Sequence, residues 1–78
     1  MITVKLFGLL RLDSGIKEIR LEAASVKEVH RMLLEQTERI SRKDLDGCVI
    51  LVNGSRASKR TKLKDGDEVI LLSPVAGG

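Results

Sequence analysis

Few residues in this chain are equipped for chemistry. It holds one cysteine, Cys48, and one histidine, His30, lacks tryptophan and tyrosine, and ends in Gly77-Gly78. A single cysteine can form no disulfide within the chain and no cysteine-based metal site. Cys48 lies between Gly47 and the apolar run Val49-Ile50-Leu51-Val52, where a core or half-buried thiol fits better than a reactive one. His30 sits beside Arg31 in a helical stretch, with no carboxylate or hydroxyl at catalytic spacing, so it reads as a surface or helix-packing residue. What remains is the backbone carboxylate of Gly78.

Glycine normally answers an interior backbone need, such as positive φ in a turn or a helix cap. At a free end it offers thinness instead: two residues without Cβ can be threaded through a narrow channel and present a carboxylate to another protein's active site. The context supports that use. Val69-Ile70-Leu71-Leu72 reads as a buried strand, Ser73-Pro74 ends ladder pairing, and Val75-Ala76 lead to the glycines. Extended from Pro74, the tail reaches about 16 Å at roughly 3.3 Å per residue.

Such an end needs a body to carry it. The chain has 78 residues, one small domain that buries only about 60% of its unfolded surface and has little room for a catalytic cleft. Small size favours a carrier or binding module over an autonomous enzyme. With 42% hydrophobic and 32% charged residues it has the composition of a globular protein. No apolar run is long enough to cross a membrane, and the N-terminus enters an alternating strand with no signal-peptide pattern. The expected location is cytoplasmic, without membrane contact.

The opening Ile2-Thr3-Val4-Lys5-Leu6 alternates with period two, as a strand with one buried face does. Asp13-Ser14-Gly15 supplies turn chemistry, and Ile19 and Leu21 alternate with Glu18 and Arg20 in a second strand, antiparallel to the first. Ser25-Val26-Lys27-Glu28 is a capping-box pattern that opens a helix. Its apolar stripe is Val26, Val29 and Leu33 with Met32 alongside, and the charged stretch through Arg39, Arg42 and Lys43 closes it. Cys48 to Val52 is a third strand, ended by Asn53-Gly54, the strongest local hairpin signal. Lys64-Asp65-Gly66-Asp67 is a tight turn before the final strand, Glu68 to Ser73. A right-handed crossover then lays one main helix over one face of a mixed sheet of four to five strands, with the last strand beside the first. That is an α+β fold of β-grasp, ubiquitin-like type: a domain over residues 1–73 and a flexible tail over 74–78.

Two surpluses remain. The strands at 48–52 and 69–72 are apolar at both parities, and Phe7, Leu9, Leu10 and Leu12 place apolar side chains where a loop should be polar. Part of this is core beneath loops, and part is an exposed patch for a protein partner near the tail, with Phe7, Leu9 and Leu10 as contact candidates. The other surplus is charge: Arg56, Lys59, Arg60, Lys62 and Lys64 cluster with no acid from 55 to 64, in a chain of net charge +3. With one phenylalanine as the sole aromatic, there is no stacking platform for bases. The cluster reads as a solvated face or an acidic-partner surface, and no nucleic-acid partner is expected.

A carboxylate with a pKa of about 3.5 is ionised at neutral pH and is a poor electrophile. It must be activated, by phosphoryl or adenylyl transfer from ATP. The chain has no GxxxxGK[ST] loop and no acidic pair placed for magnesium, so it binds no cofactor itself and the ATP is used by an activating partner. Val4-Lys5-Leu6-Phe7-Gly8-Leu9-Leu10-Arg11, the helix after Ser25, Val52-Asn53-Gly54, Leu63-Lys64-Asp65-Gly66-Asp67-Glu68-Val69 and Ser73-Pro74-Val75-Ala76-Gly77-Gly78 together resemble the small subunit of molybdopterin synthase. This is the MoaD branch of the MoaD/ThiS sulfur carriers, and the resemblance covers essentially the whole chain. It implies that an E1-like adenylyltransferase activates Gly78, that a sulfur donor protein loads it as a thiocarboxylate, and that the tail inserts into the molybdopterin synthase large subunit. There it donates sulfur for the dithiolene of the molybdenum cofactor. On that reading the chain is no enzyme alone but the sulfur-donating small subunit, with Pro74, Val75, Ala76 and Gly77 as the threaded segment. Ser73 departs from the pattern, since many relatives have a second proline there. The alternatives are a sulfur carrier for thiazole synthesis and a ubiquitin-like protein modifier.

Overall fold

A computed structural model describes residues 1–73. The segment Pro74, Val75, Ala76, Gly77 and Gly78 lies outside the described residues. Five strands form one sheet: β1 (Ile2–Phe7), β2 (Glu18–Leu21), β3 (Val49–Val52), β4 (Ser55–Arg56) and β5 (Glu68–Leu72), in the spatial order β2-β1-β5-β3-β4. β1 pairs antiparallel with β2 and parallel with β5. β3 pairs antiparallel with both β5 and β4. Three helices accompany the sheet: α1 (Leu9–Ser14), α2 (Val26–Gln36) and α3 (Arg42–Asp46). This is the β-grasp roll, with the final strand central.

Strand alternation divides the side chains between two faces. Ile2, Val4 and Leu6 of β1, Val69 and Leu71 of β5 and Ile50 of β3 point inward and are buried. α2 covers them with Val26, Val29 and Leu33, all fully buried; each such side chain contributes about 1.5–3 kcal/mol relative to exposure. The Ser25 hydroxyl caps α2 by accepting from the Glu28 N–H at 3.3 Å. The return contact of Glu28 goes to the Ala24 N–H at 2.8 Å, one residue earlier than the reciprocal pattern predicts. The basic segment feeds the same helix end, because the Thr61 and Lys59 carbonyls accept from the Val26 and Lys27 N–H groups at 3.0 and 3.1 Å.

Two elements differ from the sequence-based expectation. The charged stretch does not simply close α2: that helix stops at Gln36, Ile40 drops into the core, and α3 begins anew at Ser41. Ser41 and Asp44 form a full capping box, the hydroxyl accepting at 3.2 Å and the carboxylate at 2.8 Å. The connection from β1 to β2 is a short helix, α1, instead of an open loop, ended by Gly15 in the left-handed region at φ 73°.

The start of β5 is pinned by a side-chain network. Asn53 (φ 51°) and Gly54 (φ 86°) make the two-residue turn of the β3–β4 hairpin. The Asn53 amide donates to Asp67 at 2.9 Å and accepts from the Glu68 N–H at 2.9 Å, while Asp67 also accepts from the Lys64 N–H at 2.8 Å. Those donors, the Lys64 N–H first, hold the Asp67 carboxyl below its ordinary range. β5 therefore has a fixed register, and with it a fixed exit.

Candidate partner-docking site

Among the described residues no helix covers the sheet face opposite α2, and near the end of β5 its outward residues are apolar where polar ones would be expected. Cross-strand register places Phe7, Leu72 and Val49 in one row, with Ile70 and Leu51 beside it. Phe7 is 38% and Leu72 39% exposed, while Val49, Ile70 and Leu51 are half-buried. Leu9 and Leu12 of α1 add to the exposed apolar surface at 43% and 75%. Lys5 and Glu68, paired at 3.1 Å, mark the polar limit of the patch along β1 and β5. The excess of apolar residues at both parities of β3 and β5 thus has a location: it surrounds the end of β5, where the chain runs on to Pro74.

Of the three contact candidates, Phe7 and Leu9 are on this surface and Leu10 is not. Leu10 is 1% exposed and belongs to the core cluster. The helical turn of α1 is the reason, since consecutive residues there point about 100° apart and only one of Leu9 and Leu10 can face the sheet. Leu72 and Leu12, which the sequence placed within a strand and a loop, are exposed as well.

Ser73 is buried at the rim of this patch. Its Oγ accepts from the Leu10 N–H at 3.1 Å, and its own N–H donates to the Phe7 carbonyl at 3.4 Å. Gly8 between them has φ 69° and ψ −141° and offers no side-chain cap to α1. A Cβ at Gly8 would lie 2.7 Å from the Ser73 carbonyl oxygen and 2.8 Å from its Oγ.

Cys48 and His30, the one cysteine and the one histidine, both lie away from this patch's exposed residues. Cys48 is half-buried, its Sγ–H donates to the Leu45 carbonyl at 2.9 Å, and burial pushes the thiol up to about 11. At neutral pH that is a protonated, unreactive thiol. His30 is buried on α2, with Nε2 unpartnered, and it lines a cleft of about 490 Å³ between α2 and α3. Burial, then the positive Lys59, holds its pKa low, against the opposite pull of Asp46, which is itself ion-paired with Lys59. Among the described residues no group of histidine, cysteine and acidic side chains could hold a metal ion. No helix among them is long and apolar enough to cross a membrane.

Comparison with known proteins gives the family. A family model described as the ThiS family matches residues 4–78, nearly the whole chain. The chain belongs to the ThiS family. No curated protein matches the sequence. Among solved structures, SAMP1 from Haloferax volcanii is 25% identical with a TM-score of 0.85, covering 99% of this chain and 98% of that one. The small archaeal modifier protein 1 from Methanosarcina acetivorans is 31% identical with a TM-score of 0.78, over 99% and 95% of the two chains. The complex of subunits 1 and 2 of the molybdopterin-converting factor from Helicobacter pylori contains a chain 32% identical, with a TM-score of 0.68 over 99% and 97%. The ThiS-family chain is thus a member of the ubiquitin-like sulfur carriers and modifiers, built like proteins of both kinds.

Proposed function

We propose that this ThiS-family protein is a sulfur carrier whose reactive group is the Gly78 carboxylate, working as the small subunit of molybdopterin synthase. An E1-like adenylyltransferase joins a carboxylate oxygen to the α-phosphorus of ATP and releases pyrophosphate. Sulfide-level sulfur delivered by a donor protein then attacks the carbonyl carbon, the bond to AMP breaks, and a thiocarboxylate remains. The patch of Phe7, Leu9, Leu12 and Leu72 docks the large subunit, and Pro74 to Gly77 carry the sulfur into its active site, where it is donated for dithiolene synthesis. The observation that carries this reading is the family match across residues 4–78, which takes in the Gly-Gly ending. Likeness to a subunit of a molybdopterin-converting factor supports the choice of pathway over thiazole synthesis.

A second reading has its own support, because the two SAMP1 structures have higher TM-scores and are modifier proteins by name. In that case Gly78 ends in an isopeptide bond to a lysine. Both readings place the chemistry on one carbonyl carbon. Deleting Gly78 tests the common part: sulfur loading or conjugation is lost while the urea midpoint of the domain stays unchanged, since the described core lies within residues 2–71. A deletion that unfolds the domain, or that leaves loading intact, contradicts the assignment.

A further inference from the structure

The N-terminus of α1 is closed by a residue from the far end of the chain. A helix leaves its first N–H groups without partners and normally satisfies one with the side chain before it. Gly8 has none to offer. The Leu10 N–H is taken instead by the hydroxyl of Ser73, 63 positions away, at 3.1 Å. The same hydroxyl is 3.5 Å from the Phe7 carbonyl, and the Ser73 N–H reaches that carbonyl at 3.4 Å. The approach is possible only because position 8 lacks a Cβ, which would stand 2.7 Å from the Ser73 carbonyl oxygen.

This clasp lies one residue beyond the strand pairing, which ends at Phe7 with Leu72. It therefore holds the last residue before Pro74, and it ties that residue to the helix that presents Leu9 and Leu12 on the docking patch. A ladder alone would let the tail pivot at Ser73, where two soft backbone dihedrals would change its direction of departure. Confining one such residue is worth about tenfold in the fraction of chains that leave the sheet in one direction, and small misplacements of a reacting group cost rate steeply.

We propose that Ser73 is a positioning residue: through the clasp with Gly8 and Leu10 it fixes the point and direction at which the chain leaves the domain relative to the docking patch. The inference rests on the carrier reading above. Its test is pyrophosphate release by the E1-like adenylyltransferase with ATP, measured against the concentration of the full-length chain. Three variants are compared: Ser73→Ala, and the pair Ser73→Thr and Ser73→Val, which match in shape and differ in the hydroxyl. Circular dichroism establishes that each is folded at the assay temperature.

Ser73→Ala and Ser73→Val lower kcat by about tenfold, with the KM for the carrier changing less than kcat. Ser73→Thr recovers most of the rate. A kcat unchanged in both hydroxyl-free variants overturns the proposal, as does an equal loss in the Thr and Val variants, or a loss confined to KM. If one hydroxyl-free variant does not fold, the other decides against Ser73→Thr; if neither folds, the clasp is structural and the proposal falls. Absence of turnover with the unaltered chain overturns the carrier reading itself, a result distinct from failure of the clasp alone.

Discussion

Replacing Gly8 by alanine tests how the exit of the tail is built. Gly8 and Gly15 bracket α1 with similar φ values, 69° and 73°, but their surroundings differ. At Gly15 an added Cβ meets nothing within 4 Å, so Gly15→Ala costs only the left-handed backbone penalty, about 1 kcal/mol. At Gly8 the ψ of −141° lies outside the left-handed helical region, which adds strain of about 1–3 kcal/mol. The Cβ would also press on the Ser73 carbonyl at 2.7 Å. That oxygen belongs to backbone held beside the end of the β1–β5 ladder, so it cannot swing away as a side chain would, and such overpacking costs about 1–3 kcal/mol. Gly8→Ala should therefore destabilise by about 3–5 kcal/mol, a large share of the total for a domain of this size. With an m-value of about 1 kcal/mol/M in urea, its midpoint should fall about 2 M or more below that of Gly15→Ala. Amide exchange at Leu10 should accelerate in Gly8→Ala, because the Ser73 hydroxyl is pushed from its acceptor position. Two variants with equal midpoints would refute the close approach and, with it, the clasp.

Leu10→Ala should cost about 2–5 kcal/mol in urea unfolding as a core deletion. Leu9→Ala and Leu12→Ala should each stay within about 0.5 kcal/mol yet weaken capture of the large subunit in a pull-down. His30 is held neutral, so the unfolded chain takes up a proton near pH 6.5 and the folded chain only at lower pH. Stability is thus fully present above 6.5 and is lost as the pH falls below it. The drop in urea midpoint between pH 7.5 and pH 5 should shrink in His30→Gln, and an equal drop in both proteins would show that other groups cause it.

Much of the architecture was legible because it is written locally. Asn53-Gly54 specifies its turn through the φ values of those two residues, and the spacing of Val26, Val29 and Leu33 specifies the buried stripe of α2. The capping box at Ser41 is equally local, but a charged stretch after a helix reads as its end and not as the start of another. α1 was not legible in the same way. At six residues it is too short to be stable alone, and its N-terminal cap comes from Ser73. Leu9, Leu10 and Leu12 look alike in sequence; the helical turn alone decides that Leu10 is core and its neighbours are surface. Ser73 departs from the tail pattern in sequence, and its bond to the Leu10 N–H, 63 positions away, exists only in three dimensions. The docking patch was foreshadowed by the double-parity apolar strands, since one helix can cover only one face of a sheet.

The assignment of chemistry to a single carbon is tested most directly by the intact mass of the protein purified from its own cell without reducing or nucleophilic reagents. A sulfur carrier yields a species heavier than the sequence by the difference between a sulfur and an oxygen atom, with the added mass on the C-terminal peptide containing Gly78. Preparations in which that peptide is always either an unmodified carboxylate or joined to lysines of other proteins would contradict the carrier function and leave the modifier reading in its place.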